Sequence, residues 1–226
     1  MYHLLGVGTN AKTTKGDGSQ YLTAILYMKP ELLLCPMSEV AGCSKACLYT
    51  AGRGAFSNVQ AARTRKAMLY KQDRKAFNTM LSSDLVKFQR YCTKRGIQPV
   101  VRLNGTTDID FISIVKLYPS IQFYDYLKVY NRLNKKLPNN YHITLSYSEA
   151  NMAYADKVVD MAKLKNVNVA VVFRSPKDIP KEFRGMSVID GDKDDLRFLD
   201  ASDKPYVVAL YAKGKAKHDT SGFVIN

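Results

Sequence analysis

Three of the four cysteines, Cys35, Cys43 and Cys47, lie within thirteen positions of one another in the stretch CPMSEVAGCSKACLYTAGRG. Their spacing is C-x7-C-x3-C, and the fourth, Cys92, follows much later in a basic segment. Thiolates are the usual ligands of iron–sulfur clusters and structural zinc. Three on one loop suit a single [4Fe–4S] cluster, with the fourth iron left open to a small molecule. Gly42, Gly52 and Gly54 let the backbone bend closely around an inorganic core. Zinc sites are more often built from paired C-x2-4-C knuckles, which this chain lacks, though Cys92 would complete four sulfurs. Buried small hydrophobes are the third reading of the same cysteines.

Other chemistry has weaker marks. His3, His142 and His218 show no knuckle spacing, and no G-x-S-x-G elbow appears. GVGTNAKTTKGDG carries glycine and lysine without G-x4-G-K-[ST], so it is no nucleotide P-loop. The acidic run from Asp190 to Asp195 lacks the closing glutamate of an EF-hand and reads as a turn.

The elements that must position the cysteines follow from periodicity. YLTAILYM (Tyr21 to Met28) reads as a strand leading into the cysteine loop, and Asn58 to Arg95 reads as two helices broken near Ser82, Ser83 and Asp84. QPVVRLNG, IQFYDYLKV, YHITLSYSEA, VNVAVVF, MSVID and YVVALYA read as further strands. FISIVKLYP, YNRLNKKLP and NMAYADKVVDMAKLKN read as the helices among them. Such alternation predicts an α/β fold with mainly parallel strands, here an incomplete (β/α) barrel of TIM type. We expect one domain over 1–226: an N-terminal strand and cysteine loop (1–57), a basic helical segment (58–95) and alternating β/α units (96–226). Ligands in such folds gather at the carboxyl ends of strands, where NGTTDID, SYSEAN and the cysteine loop all fall.

The chain has 226 residues, is 46% hydrophobic and carries a net charge of +14. It has enough apolar residues for a full core, and no run long enough to span a membrane. The N-terminus lacks the order of a secretory signal, so the cytoplasm is the expected location, that of the host if the protein is viral. The charge points to a polyanionic partner, most simply nucleic acid. Between Ala61 and Arg95, ten Lys or Arg residues meet only Asp73 and Asp84. Arg63, Arg65, Lys66, Arg74 and Lys75 form the densest part, with Tyr70 and Phe77 interleaved. Cations track phosphates and aromatics stack on bases, so this is a candidate nucleic-acid face; the alternative is a solvated helix with both rings turned inward.

A first strand, a three-cysteine loop, then helix and a strand ending in a glycine-containing turn resembles radical S-adenosylmethionine enzymes. The usual C-x3-C-x2-C spacing is absent, and Ala46 stands where the family places an aromatic. The resemblance implies cluster ligands at Cys35, Cys43 and Cys47. It puts the cofactor's amino-acid part on Asn104, Gly105, Thr106 and Asp108, its ribose near Ser146, Ser148 or Asn151, and a reductant protein among the partners. More loosely, CPMSEVAGCSKACLYTAGRG with RLNGTTD resembles bacteriophage proteins with a CP…GC…C loop. The expected function is a [4Fe–4S] protein of radical S-adenosylmethionine type acting on nucleic acid or another anionic substrate. The alternative is a non-enzymatic basic nucleic-acid-binding protein stapled by a cluster or zinc.

Overall fold

The computed structural model describes residues 3–8, 20–200 and 203–226. Most of the glycine- and lysine-containing stretch that follows Gly8 lies outside them. Among the described residues ten strands form one open sheet. They are β1 (Leu5–Val7), β2 (Tyr21–Leu26), β3 (Gln98–Arg102), β4 (Gln122–Leu127), β5 (Tyr141–Ser146), β6 (Val169–Phe173), β7 (Glu182–Phe183), β8 (Met186–Asp190), β9 (Val207–Tyr211) and β10 (Val224–Ile225). The order across the sheet is β1-β2-β3-β4-β5-β6-β9-β8-β7, with β10 pairing β6. From β2 to β6 the strands follow chain order and pair in parallel, as β–α alternation requires. Two features depart from a closed barrel. The strand β9 sits between β6 and β8, and the edges are short antiparallel additions, β1 on β2 and β7 on β8. The fold is mixed α/β with a mostly parallel sheet that does not close.

All seven strands expected from the sequence form. The other three, β1, β7 and β10, are only two or three residues long, too short for alternation to reveal. The helical segment divides at another place than expected. Helix α1 (Ser57–Gln72) gives way to α2 (Arg74–Thr93) at Asp73, whose side chain accepts from Ala76 N at 2.8 Å. Ser82, Ser83 and Asp84 stay helical because Asp84 has other work. Its carboxylate accepts from Leu4 N (2.6 Å), Leu5 N (3.2 Å) and His3 Nδ1 (2.8 Å), holding the chain that enters β1. Helices α3 (Ile112–Lys116) and α4 (Met152–Lys165) cross between strands as expected, whereas YNRLNKKLP makes only a 3-10 turn over Tyr130–Asn134.

The two faces of the sheet differ in kind. One presents Ala24, Leu26, Val101, Phe123, Ile143, Leu145, Val171 and Ala209 to a core shared with Phe77, Leu81 and Leu85 of α2 and Val158 of α4. The opposite face is polar at its centre: Thr23, Arg102, Tyr124, Tyr126, His142 and Thr144 alternate with those apolar residues. Residues 191–200, which follow β8, pack on this inner face, with Phe198 against the rings of Tyr21 and Tyr124 and Asp195 taking the Tyr124 hydroxyl. No described helix is long and apolar enough to cross a membrane.

Candidate functional site

Beyond the carboxyl end of β2 the chain winds in consecutive turns. Leu34 N donates to Glu31 O (2.8 Å), Ser38 N to Cys35 O (3.1 Å) and Ala41 N to Met37 O (2.9 Å). Such tight winding turns Cys35 and Cys43 inward, each only 6% exposed, while Cys47 remains half-buried. All three are free thiols. The loop is fixed from outside by the other end of the sheet's top. Ser148 Oγ, just past β5, donates to Ala41 O at 2.7 Å, and Ser221 Oγ of the C-terminal tail donates to Gly42 O at 2.9 Å. Gly42 has φ of +62°, and a β-carbon there would stand 2.6 Å from that of Ala150 and 2.7 Å from Ser221 Oγ. The residue must therefore be glycine on two counts, conformation and space.

The tail is itself strapped down. Arg174 donates to the carbonyls of Lys217 (2.9 Å) and Asp219 (2.6 Å), and its own N–H to Ile225 O (2.8 Å). Cysteine loop, β5 exit and C-terminus thus form one rim over the strand ends.

The three thiols lie within electrostatic reach of one another and of Lys128. Burial pushes the Cys35 thiol up to about 12; Lys128 opposes the shift, while Cys43, Asp108 and Cys47 add to it. Burial also raises Cys47, against the Tyr49 N–H, which donates to its Sγ at 3.5 Å, and against Lys128 and Arg63. Burial works against the charge on Lys128, but Cys43, Cys35, Tyr154 and Asp108 outweigh it and hold the ammonium above its ordinary range. Lys128 continues the inward alternation of Tyr124 and Tyr126 one step beyond β4, which is the signal in the sequence that would have found it. Arg63 is the second cation. It donates to Tyr49 O at 2.7 Å and lies 4.7 Å from the ring centroid of Tyr27.

Among the described residues no three His, Cys, Asp or Glu side chains are gathered so as to hold a single metal ion. A tetrahedral zinc needs its sulfurs about 2.3 Å from one point. A polynuclear cluster instead gives each thiolate its own iron, so its sulfurs stand further apart. Cys92 belongs elsewhere. It is fully buried on α2, just before the chain enters the amino end of β3, and its charged neighbour is Arg95 rather than another cysteine. A surface depression of about 770 Å³, bordered by Tyr21, Gln98 and Phe198, also lies at that far end.

The turn after β3 is closed on itself. Asn104 N donates to Asp125 Oδ1 (2.8 Å), and Asn104 Oδ1 accepts from Thr107 Oγ1 (3.0 Å) and Ile109 N (2.8 Å). Thr106 Oγ1 donates to Met28 O, and Gly105 packs so tightly on β2 that a β-carbon would stand 2.8 Å from Leu26 O. The Asp108 carboxylate accepts from Lys128 N (2.7 Å), Val129 N (3.0 Å) and Arg132 (2.9 Å). These residues therefore brace the rim from below. Ser146 is buried, its carbonyl taking the Tyr154 hydroxyl at 2.7 Å, and Ser148 is spent on the cysteine loop.

The basic helices divide likewise. Tyr70 and Phe77 turn inward, their rings packing edge to face at 5.0 Å. Lys66 donates to Leu4 O, and burial lowers its pKa to about 8 despite Asp84 nearby. Arg74 lies 3.3 Å from the Tyr70 ring centroid. Arg65, Arg74 and Lys75 remain on the solvent side.

A family model described as Gene product 88 matches residues 3–226, the cysteine loop and strapped tail included. The chain belongs to the gene product 88 family. The match agrees with the likeness to bacteriophage proteins and lends none to radical S-adenosylmethionine enzymes. No curated protein and no solved structure matches the chain. Membership therefore covers the whole rim.

Proposed function

We propose that this protein binds a [4Fe–4S] cluster through Cys35, Cys43 and Cys47, at the strand-end rim of a sheet that forms an incomplete (β/α) barrel of TIM type. The observation that carries the reading is the gathering of three free thiols on a loop braced from three sides, with the Lys128 ammonium beyond β4 in electrostatic reach of them. The donor set fits the group. Thiolates are its ligands, Lys128 and Arg63 supply positive charge beside an anionic cluster, and the Tyr49 N–H already donates to the Cys47 sulfur. When bound, such a cluster supplies one-electron transfer. The chain's own part is to bury the ligands, exclude water through Ala41, Ala46 and the strapped tail, and hold counter-charge at Lys128.

Use of S-adenosylmethionine is the extension of this reading, with Asn104, Gly105, Thr106, Asp108, Ser146 and Ser148 as the residues nearest the rim. Three thiolates leave one iron without a protein ligand, which favours it. The internal bonding of the turn after β3 favours a relative that binds the cluster without cleaving the cofactor. A net charge of +14 with Arg65, Arg74 and Lys75 exposed favours an anionic partner or substrate, nucleic acid included. It equally suits the second reading, a basic nucleic-acid-binding protein in which the metal site only staples the loop.

Anaerobic purification tests the proposal. The expected product is brown, with broad absorbance near ~400 nm that disappears in the Cys35→Ser, Cys43→Ser and Cys47→Ser variants and persists in Cys92→Ser. A colourless protein with one zinc per chain overturns it. Given a brown protein, release of 5′-deoxyadenosine on adding S-adenosylmethionine and a reductant separates the enzyme from its non-catalytic relative.

A further inference from the structure

The inner face of the sheet carries a constellation that the cysteine rim does not use. Arg102 of β3 and Tyr124 and Tyr126 of β4 converge on a single carboxylate, Asp195. The Tyr124 hydroxyl donates to Asp195 Oδ2 at 2.9 Å, the Tyr126 hydroxyl to Oδ1 at 3.4 Å, and Arg102 NH1 to Oδ2 at 3.3 Å. A guanidinium and two phenols directed at one point make an oxyanion receptor. Burial and the neighbouring Asp195 raise both phenols above their usual range, so they stay protonated donors at neutral pH.

The receptor has more capacity than its present occupant uses. Two of its three contacts are long, and Arg102 Nε is buried without a hydrogen-bond partner. On the strands to either side, Thr23 Oγ1 of β2, and Thr144 Oγ1 and His142 Nε2 of β5, are likewise buried and unpartnered. Thr23 and Thr144 are 2% and 0% exposed. Leaving such groups unpaired costs about 1–3 kcal/mol each, and an interior built only for packing would hold apolar side chains here. Four neighbouring strands each contribute at least one polar group to this patch.

The occupant arrives on an irregular segment. Residues 191–200 run from the carboxyl end of β8 back across the inner face, and Phe198 packs against Tyr21 (5.3 Å) and Tyr124 (6.0 Å). The segment brings Asp194, Asp195 and Asp200 close together, and Arg197 NH1 stands 2.7 Å from Asp200 Oδ2, paired by charge but not aligned as a hydrogen bond. An anion entering beside these carboxylates would repel them.

We propose that the inner face of the sheet is a binding site for a small molecule bearing a carboxylate or phosphate group. That group sits on Arg102, Tyr124 and Tyr126, and Asp195 holds the seat until the ligand displaces it along with its segment. Thr23, Thr144 and His142 then meet the rest of the molecule, which lies below the cysteine rim. The inference does not depend on a cluster and is tested on metal-free, full-length protein.

The probes are sodium acetate and sodium phosphate, with sodium chloride at equal ionic strength as the reference. In the Asp195→Ala variant the unfolding midpoint is expected to rise saturably, by roughly 5 °C, with acetate or phosphate and not with chloride. Response to acetate alone assigns a carboxylate seat, and response to phosphate alone a phosphate seat. Adding Arg102→Met to Asp195→Ala is expected to abolish the rise. In the unaltered protein the effective anion is expected to speed hydrogen exchange across 193–200 while β3 to β5 keep their protection. No saturable rise, a rise that survives Arg102→Met, or unchanged exchange over 193–200 overturns the proposal. Should Asp195→Ala fail to fold, Asp195→Asn serves the same comparison.

Discussion

The N–H of Asp108 donates to the carbonyl of Leu34 at 2.8 Å, so the turn leaving β3 is bonded directly to the residue before the first cysteine. The same Asp108 grips the exit of β4 with its carboxylate, taking the N–H of Lys128, whose ammonium is coupled to the thiols, and that of Val129. One side chain and its backbone thus connect the cysteine loop, the turn after β3 and Lys128. The bracing explains why that turn is so fully bonded within itself.

Removing the Asp108 carboxylate should be costly. Arg132, 9% exposed, would lose its ion-pair partner, and the N–H groups of Lys128 and Val129 would lose their acceptor. Breaking a buried pair from one side costs about 3–5 kcal/mol. Asp108→Ala is expected to lower the unfolding free energy by that amount, read as a lower urea midpoint with an unchanged slope, and to release the cysteines to faster alkylation. Alkylation at the rate of the unaltered protein would remove Asp108 from its bracing role.

Gly42 and Gly8 offer a matched comparison. Both have φ of +62°, but a β-carbon at Gly8 meets none of the described residues within 4 Å, while at Gly42 it meets Ala150 and Ser221. Gly8→Ala should cost about 1 kcal/mol from backbone strain alone. Gly42→Ala should cost about 2–4 kcal/mol, because overpacking adds to the strain. Equal losses of stability in urea unfolding would mean that the loop does not press on β5 and the tail.

The strand pattern was legible because buried parallel strands are apolar, β-branched runs, and the rim was legible because polar residues follow each of them. The cysteines reveal themselves by spacing. What the sequence hid is pairing over long distances. Asp84 looks like a helix cap beside two serines, yet it serves Leu4 and Leu5 some eighty positions away. Asp195 looks like one member of an acidic turn, yet its partners are Arg102, Tyr124 and Tyr126. Asn104 and Asp108 stand in a turn after a strand, and only three-dimensional bonding shows that their side chains pair with Thr107, Ile109, Lys128, Val129 and Arg132. Local periodicity carries no information about such partners.

Asp84 itself gives the next expectation. Its loss strands the N–H groups of Leu4 and Leu5 and withdraws the anion beside Lys66. Asp84→Ala is expected to open β1 locally, lowering amide protection over Leu5–Val7 at least tenfold more than over β3 to β5. Protection that stays even across the sheet would show that β1 is held by its pairing with β2 alone.

Stability between pH 4 and 6 should reflect two opposed groups. Burial lowers the His142 pKa to about 4, with Arg197 adding to the effect, so the unfolded chain takes up a proton that the folded one refuses. That term raises stability as pH climbs from 4 to 6.5 and is lost as pH falls. Burial raises the Asp125 pKa to about 6 against Arg102, the Asn104 N–H and the Tyr141 hydroxyl, so here the folded chain keeps the proton that the unfolded one releases. That term lowers stability as pH climbs from 4 to 6. Each amounts to about 3 kcal/mol, and together they nearly cancel. In His142→Phe the Asp125 slope is unmasked: relative to the unaltered protein, stability should fall by about 2 kcal/mol between pH 4 and 6, the part of the His142 term that lies in that range. Asp125→Asn should tilt the other way over the same range, whatever its absolute cost. Urea unfolding of the three proteins at half-unit pH steps measures the slopes, and parallel curves would show that neither group titrates differently on folding.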